Sequence, residues 1–187
     1  MKFFVLSLIV FLSVCFNTNA EESFLESAAG VKLYSADENE DINHQEKADN
    51  WQARAQEVLV NALSLTGIHY KYGGKSPETG FDCSGFVRYV FRQATNLSLP
   101  PTARAISQIG NTIKKDELQP GDLVFFNTLK SAFSHVGIYV GDNKFIHAPS
   151  AGKVVRVESM KSGYWASRFN GAQRLDTEVE KSAANSN

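Results

Sequence analysis

Residues 135–149, HVGIYVGDNKFIHAP, constrain the fold of this 187-residue chain more than any other stretch. They read as two short strands around a turn at Gly141-Asp142-Asn143. A strand sends alternate side chains to opposite faces, so a one-residue slip in pairing turns every side chain to the wrong face. With those three residues as the loop, Val140 pairs with Lys144. One face then collects Val136, Ile138, Val140, Ile146 and Ala148, all aliphatic, with Lys144 at its end. The other collects His135, Gly137, Tyr139, Phe145, His147 and Pro149. In this register His147 lies opposite Gly137 and diagonal to His135, within reach of imidazole-sized side chains. A slip would spoil the aliphatic face and separate the histidines, so the core pattern selects the pairing that brings them together. A two-residue loop is the second option.

Around this hairpin the chain is organised by charge. Residues 21–50 carry nine acidic and two basic residues, a balance of −7, with few large apolar side chains. They are expected to be a disordered acidic linker. Residues 51–175 carry 15 basic and eight acidic residues, a balance of +7, and form the candidate domain. Residues 176–187 read as a polar tail. Apolar residues at 43% and charged residues at 21% exclude a wholly disordered or collagen-like chain. A basic domain suits an anionic partner.

Residues 1–20 carry an address. Met1-Lys2 precedes FFVLSLIVFLSVCF, an apolar run too short for a spanning helix of roughly 18 residues, and Thr18-Asn19-Ala20 suits a cleavage site. A signal peptide and export to the periplasm are expected. Leu12-Ser13-Val14-Cys15 resembles a lipobox, but Val14 is not the usual small residue, so the soluble exported form is preferred. Membrane attachment follows only if Cys15 is acylated. Export favours an anionic wall polymer over nucleic acid as the partner. Two cysteines exclude a disulfide-stapled mini-fold. Once residues 1–20 are removed, Cys83 is alone in an oxidising compartment, which suits a reactive thiol.

Within the domain, Trp51 to Leu65 is rich in helix formers and stops before Gly67. Phe81 to Thr95 resumes helical character, with Phe86, Val87, Val90, Phe91 and Ala94 on one stripe. Asp122 to Phe126 reads as a buried strand. Cys83 sits where a Gly-rich loop enters the second helix. There the unpaired N–H groups and the helix dipole favour thiolate, and a nearby imidazole would favour it further. His135 is the natural base, and His147 the group that orients it. His69 and His44 have no motif support. The ligands for a zinc site lack paired spacing, so no metal or cofactor is expected.

YKYGGKSPETGFDCSGFV, LPPTARAISQIG, ELQPGDLVFF, SHVGIYVGDNKFIHAP and YWASRFNGAQRL together resemble the NlpC/P60 cell-wall peptidase family, from about Trp51 to Leu175. The resemblance implies a papain-like α+β fold, with the nucleophile helix packed on a central antiparallel sheet. It implies Cys83 as nucleophile, His135 as base and His147 as the third polar residue. It further implies Tyr72 beside the thiol, and Asp82 and Ser84 lining the substrate pocket, against the plainer readings of loop packing for Tyr72 and N-capping for Asp82. Where the family often has Leu-Pro-Arg-Thr, this chain has Pro101, and Arg104 is the candidate replacement.

The expected function is hydrolysis of an amide in peptidoglycan stem peptides, at γ-D-glutamyl-diaminopimelate or at a diaminopimelate cross-link. An amidase or acyltransferase on the same fold is the nearest alternative. A non-catalytic envelope or peptidoglycan-binding protein is the alternative from another class.

Overall fold

The computed structural model describes residues 36–128 and 131–175. The expected signal peptide, Cys15, the acidic stretch up to residue 35 and the tail from 176 lie outside the described residues. Helix α1 (Ala36–Ser64) leads to a two-stranded ribbon, β1 (Lys75–Ser76) and β2 (Gly80–Phe81). Helix α2 (Cys83–Thr95) and the short α3 (Ala103–Ile106) follow. The main sheet is built from β3 (Asn111–Ile113), β4 (Leu123–Phe126), β5 (His135–Gly141), β6 (Lys144–His147), β7 (Arg156–Ser159) and β8 (Phe169–Arg174). A short helix, α4 (Gly163–Ala166), joins the last two strands. The order across the sheet is β3-β8-β4-β5-β6-β7, with every neighbouring pair antiparallel. This is the α+β arrangement expected of a papain-like fold.

The alternation along the strands gives the sheet two unlike faces. Leu123, Phe125, Val136, Ile138, Ile146 and Ala148 share one core with Phe86, Val87, Val90 and Phe91 of α2 and with Val58 and Ala62 of α1. Each such fully buried side chain contributes about 1.5–3 kcal/mol relative to exposure. Val124, Phe126, Tyr139 and Phe145 point the other way, into an aromatic cluster with Met160, Trp165 and Ala172. Helix α2, which starts at Cys83, therefore lies on the aliphatic face, and the histidines on the aromatic one.

Ile138 pairs with Ile146 and Tyr139 with Phe145, as the aliphatic pattern requires. The turn departs from the expected three-residue loop. Gly141 pairs with Lys144, the register shifts between Tyr139 and Gly141, and the loop is Asp142-Asn143. Their φ values of 51° and 56° are the positive pair that a type I′ turn requires, which Asp and Asn tolerate. The bulge absorbs Val140, so the pairing beyond it is preserved.

Helix α1 begins at Ala36, not near Trp51, which corrects the expected disordered linker over residues 36–50. No Gly or Pro occurs between Gly30 and Gly67, and Ala, Glu, Gln and Lys carry the helix upstream of its anchored end. Ala55, Val58, Ala62 and Leu65 form the buried stripe that fixes that end.

A fully buried carboxylate ties the sheet's centre to its last strand. Asp122 receives Arg174 through both oxygens, each contact at 2.8 Å, and also accepts the Gln119 N–H at 2.8 Å. A buried pair is costly to break from one side, because the partner charge stays behind. Asp122→Ala is expected to lose about 3–5 kcal/mol of stability, read as a fall in the urea midpoint; a loss below about 1 kcal/mol, the ceiling for exposed pairs, would show that the pair is solvated in practice.

Candidate active site

Cys83 opens α2 because Asp82 ends the extended chain and caps the helix. The Asp82 carboxylate accepts the Gly85 N–H at 2.7 Å and the Gly73 N–H at 3.0 Å. The Ser84 hydroxyl lies 3.0 Å from both Asp82 Oδ1 and Pro101 O. Gly85 is needed here, since a Cβ would sit 2.0 Å from Gly74 O. The expected pocket residues Asp82 and Ser84 thus spend their polar atoms holding the glycine loop, the helix start and the Pro101 segment together. The plainer reading of Asp82, an N-cap, is seen in the structure.

The half-buried thiol has the backbone N–H groups of Val136, Ser84 and Cys83 itself nearby as electrostatic donors. Those donors favour thiolate. Burial outweighs them and, with the Asp82 charge adding in the same direction, pushes the thiol from 9.0 up to about 11. The expected thiolate is therefore not the resting form.

Val136 follows His135 in the chain, so Cys83 lies beside the strand that carries this imidazole, at the start of β5. His135 and His147 are both buried, and His135 Nε2 lies 2.8 Å from His147 Nδ1 across the hairpin. Gly137 makes room for this: a Cβ there would lie 2.7 Å from Phe145 Cδ2 and 3.1 Å from His147 Cβ. Burial, then the neighbouring His147, pushes His135 down from 6.5 to about 3, with Glu158 opposing in part. Burial also lowers His147. These shifts favour the neutral thiol and the neutral form of both imidazoles.

The chain of polar contacts continues past His147 to a residue the sequence reading missed. His147 Nε2 lies 3.1 Å from Glu158 Oε2. The same oxygen accepts the Trp165 indole N–H at 2.6 Å, and Arg156 Nη2 pairs with Oε1. These hydrogen bonds, that of His147 first, overcome burial and hold Glu158 well below the usual carboxylate range. The Trp165 ring also stacks on His135, with centroids 5.4 Å apart and planes at 27°. Glu158 gave no signal in sequence because only the β6–β7 pairing, Phe145 to Glu158 and His147 to Arg156, brings it in.

Tyr72 requires a correction. It is 88% exposed, whereas the phenol pushed upward by burial and then by Cys83 and Asp82 is that of Tyr70. The turn closed by the Gly74 N–H and Lys71 O, with Gly73 at φ 70°, carries Tyr72 out to solvent. Tyr70 stays tied to Lys153 O through its N–H. Arg104 reaches Ser131 Oγ at 2.7 Å and Ala132 O at 3.2 Å, bracing the segment before β5. His69 is exposed in a bridge to Val154.

Beside the far end of the histidine chain opens a cavity of about 490 Å³, lined by Lys153, Arg156, Glu158, Tyr164 and Trp165 among others. The Arg156 Nε is buried there without a hydrogen-bond partner. Among the described residues, no group of three His, Cys, Asp or Glu side chains is arranged to hold a metal ion.

Known proteins share this arrangement of sequence and fold. The family model described as the NlpC/P60 family matches residues 67–174. Murein DD-endopeptidase MepH of Escherichia coli K12 is 39% identical over 128 residues, 66% of this chain and 47% of that protein. Gamma-DL-glutamyl hydrolase of Bacillus subtilis 168 is 40% identical over 120 residues, 64% of this chain and 29% of that protein. This chain therefore spans less than half the length of either relative. The crystal structure of an NlpC/P60 family protein from Bacillus cereus ATCC 10987 superposes with a TM-score of 0.60 at 30% identity, covering 64% of this chain and 39% of that one. With the family match extending from the end of α1 through β8, the chain belongs to the NlpC/P60 family.

Proposed function

We propose that the protein is a cysteine peptidase that hydrolyses an amide bond in peptidoglycan stem peptides. The observation that carries this reading is a Cys83 at a helix start, beside the strand that carries His135, whose Nε2 lies 2.8 Å from His147 Nδ1. The names of the two relatives, a murein DD-endopeptidase and a gamma-DL-glutamyl hydrolase, support an amide between unusual amino acids as the target. They correspond to different bonds, so the bond itself is read from products. Export, expected from residues 1–20, would put the thiol with that substrate.

In this mechanism Sγ attacks the carbonyl carbon while its proton passes to His135 Nδ1, the nitrogen not engaged by His147. The Cys83 N–H and the Tyr70 hydroxyl are the proposed donors to the developing oxyanion. His135 returns the proton to the leaving amine, and a thioester remains. Water then attacks with His135 again as base, which releases the acid and restores the thiol. His147 orients the base throughout. Because the resting pair is neutral, proton transfer accompanies the attack. Lys153 and Arg156 give an anionic stem peptide a cationic wall beside the site.

Cys83→Ala is expected to abolish release of muropeptides from purified sacculi, read by mass spectrometry, with an unchanged circular dichroism spectrum; full release by this variant rejects the thiol mechanism. The fragment masses name the bond. No cleavage by the wild type would turn attention to the amidase, acyltransferase or binding alternatives. In matched kinetics His147→Ala should retain more activity than His135→Ala, since an orienting group is more replaceable than the base. Equal or inverted losses would exchange or merge their roles.

The neutral site also makes a statement about pH. A thiol raised to about 11 should be alkylated by iodoacetamide at a rate that keeps climbing through pH 9. A plateau already reached below pH 8 would mean that the thiolate is the resting form after all.

A further inference from the structure

Glu158 is placed to do more than support His147. A carboxylate has acceptors only. Its Oε2 faces His147 Nε2 at 3.1 Å, so the proton of that contact resides on His147. A neutral imidazole carries one N–H, and proton-bearing Nε2 leaves Nδ1 as a bare acceptor. His147 Nδ1 lies 2.8 Å from His135 Nε2, so that contact takes its proton from His135. His135, also neutral, is then left with a bare Nδ1, and that lone pair is what a thiol proton requires.

We propose that Glu158 is a positioning residue that sets the direction of the whole hydrogen-bond chain and thereby holds His135 in the tautomer able to act as base. With the opposite polarity, His147 would donate from Nδ1 to His135 Nε2. His135 Nδ1 would then carry the hydrogen, and the site would have no base toward Cys83. Nothing in the two histidines alone chooses between these states, because each ring can serve either way. The choice is made at the end of the chain by a group that cannot donate.

The surroundings keep that group an acceptor. Trp165 donates to Oε2 at 2.6 Å, and Arg156 is paired with Oε1. Both are donors without acceptor capacity, so a proton taken up by Glu158 would face a donor with a donor. Trp165 also stacks on His135, so one side chain holds the anchor and limits rotation of the base. During attack His135 becomes an imidazolium, and the carboxylate two hydrogen bonds away carries the compensating charge.

The inference rests on the cysteine-peptidase reading for its kinetic consequence, though not for its first readout. The chain has only four histidines, so long-range proton–nitrogen spectra of ¹⁵N-histidine-labelled protein at pH 7 can report each tautomer. The Nε2–H form is expected for both His135 and His147; an Nδ1–H form at either overturns the proposal without any variant. In Glu158→Gln, the side chain can donate as well as accept, and mixed tautomers are expected at both histidines. The same variant should lower kcat on a murein-derived peptide at least about tenfold with KM little changed, the direction expected when a base is held in the wrong tautomer. Glu158→Asp, still acceptor-only, should keep the wild-type tautomers and more of kcat than the glutamine variant. Unchanged tautomers and kcat in Glu158→Gln would reduce the carboxylate to packing. Wild-type tautomers as expected in a protein that cleaves no murein peptide would uphold the polarity and reject the peptidase reading instead.

Discussion

The hydrogen bond between His135 and His147 depends on a pairing register that neither histidine determines. It forms because Ile138 must face Ile146 to complete an aliphatic core, and the pleat then delivers both imidazoles to the opposite face. Gly137 leaves the gap into which Phe145 and His147 pack. The strength of the core, many side chains each contributing a kcal/mol or more, is what makes a single 2.8 Å contact dependable. Other parts of the site follow from it: the aromatic cluster closes over the pair, and β7 brings its carboxylate to the outer nitrogen.

The two faces of the sheet divide the labour. On one side α2 packs Phe86, Val90 and Phe91 against the strands and sets Cys83 at their end. On the other, Phe126, Phe145 and Trp165 surround the imidazoles with rings. Burial among rings explains why both histidines are driven neutral, and burial of the thiol explains why it keeps its proton. A helix dipole and three backbone donors argue for thiolate, and desolvation wins.

Much of this was legible before any coordinates. The period of two in residues 135–148 foretold the histidine pair, and the cap residue and glycine loop foretold a cysteine at a helix start. The turn was misjudged by one residue because the bulge at Val140 hides an extra position that a strict alternation cannot register. Tyr72 was expected beside the thiol, but the turn between Lys71 and Gly74 turns it to solvent, and it is Tyr70 whose phenol feels Cys83. Helix α1 ran further than charge composition suggested, because low hydrophobicity does not by itself oppose a helix made of good formers. Glu158 was invisible for a different reason. Its role arises from a long-range pairing, and a lone acidic residue in a short strand carries no mark of what lies across from it.

The protonated thiol has one more consequence. Oxidants and disulfides react with thiolate, so a cysteine that holds its proton well above neutral pH is slow to be converted to sulfenic acid or to exchange with other thiols. A reactive nucleophile kept permanently ionised outside a reducing compartment would be consumed by its surroundings between encounters with substrate. In the proposed mechanism the reactivity is created only when a carbonyl arrives and the proton has somewhere to go. The same burial that keeps the Cys83 thiol protonated would preserve it between such encounters.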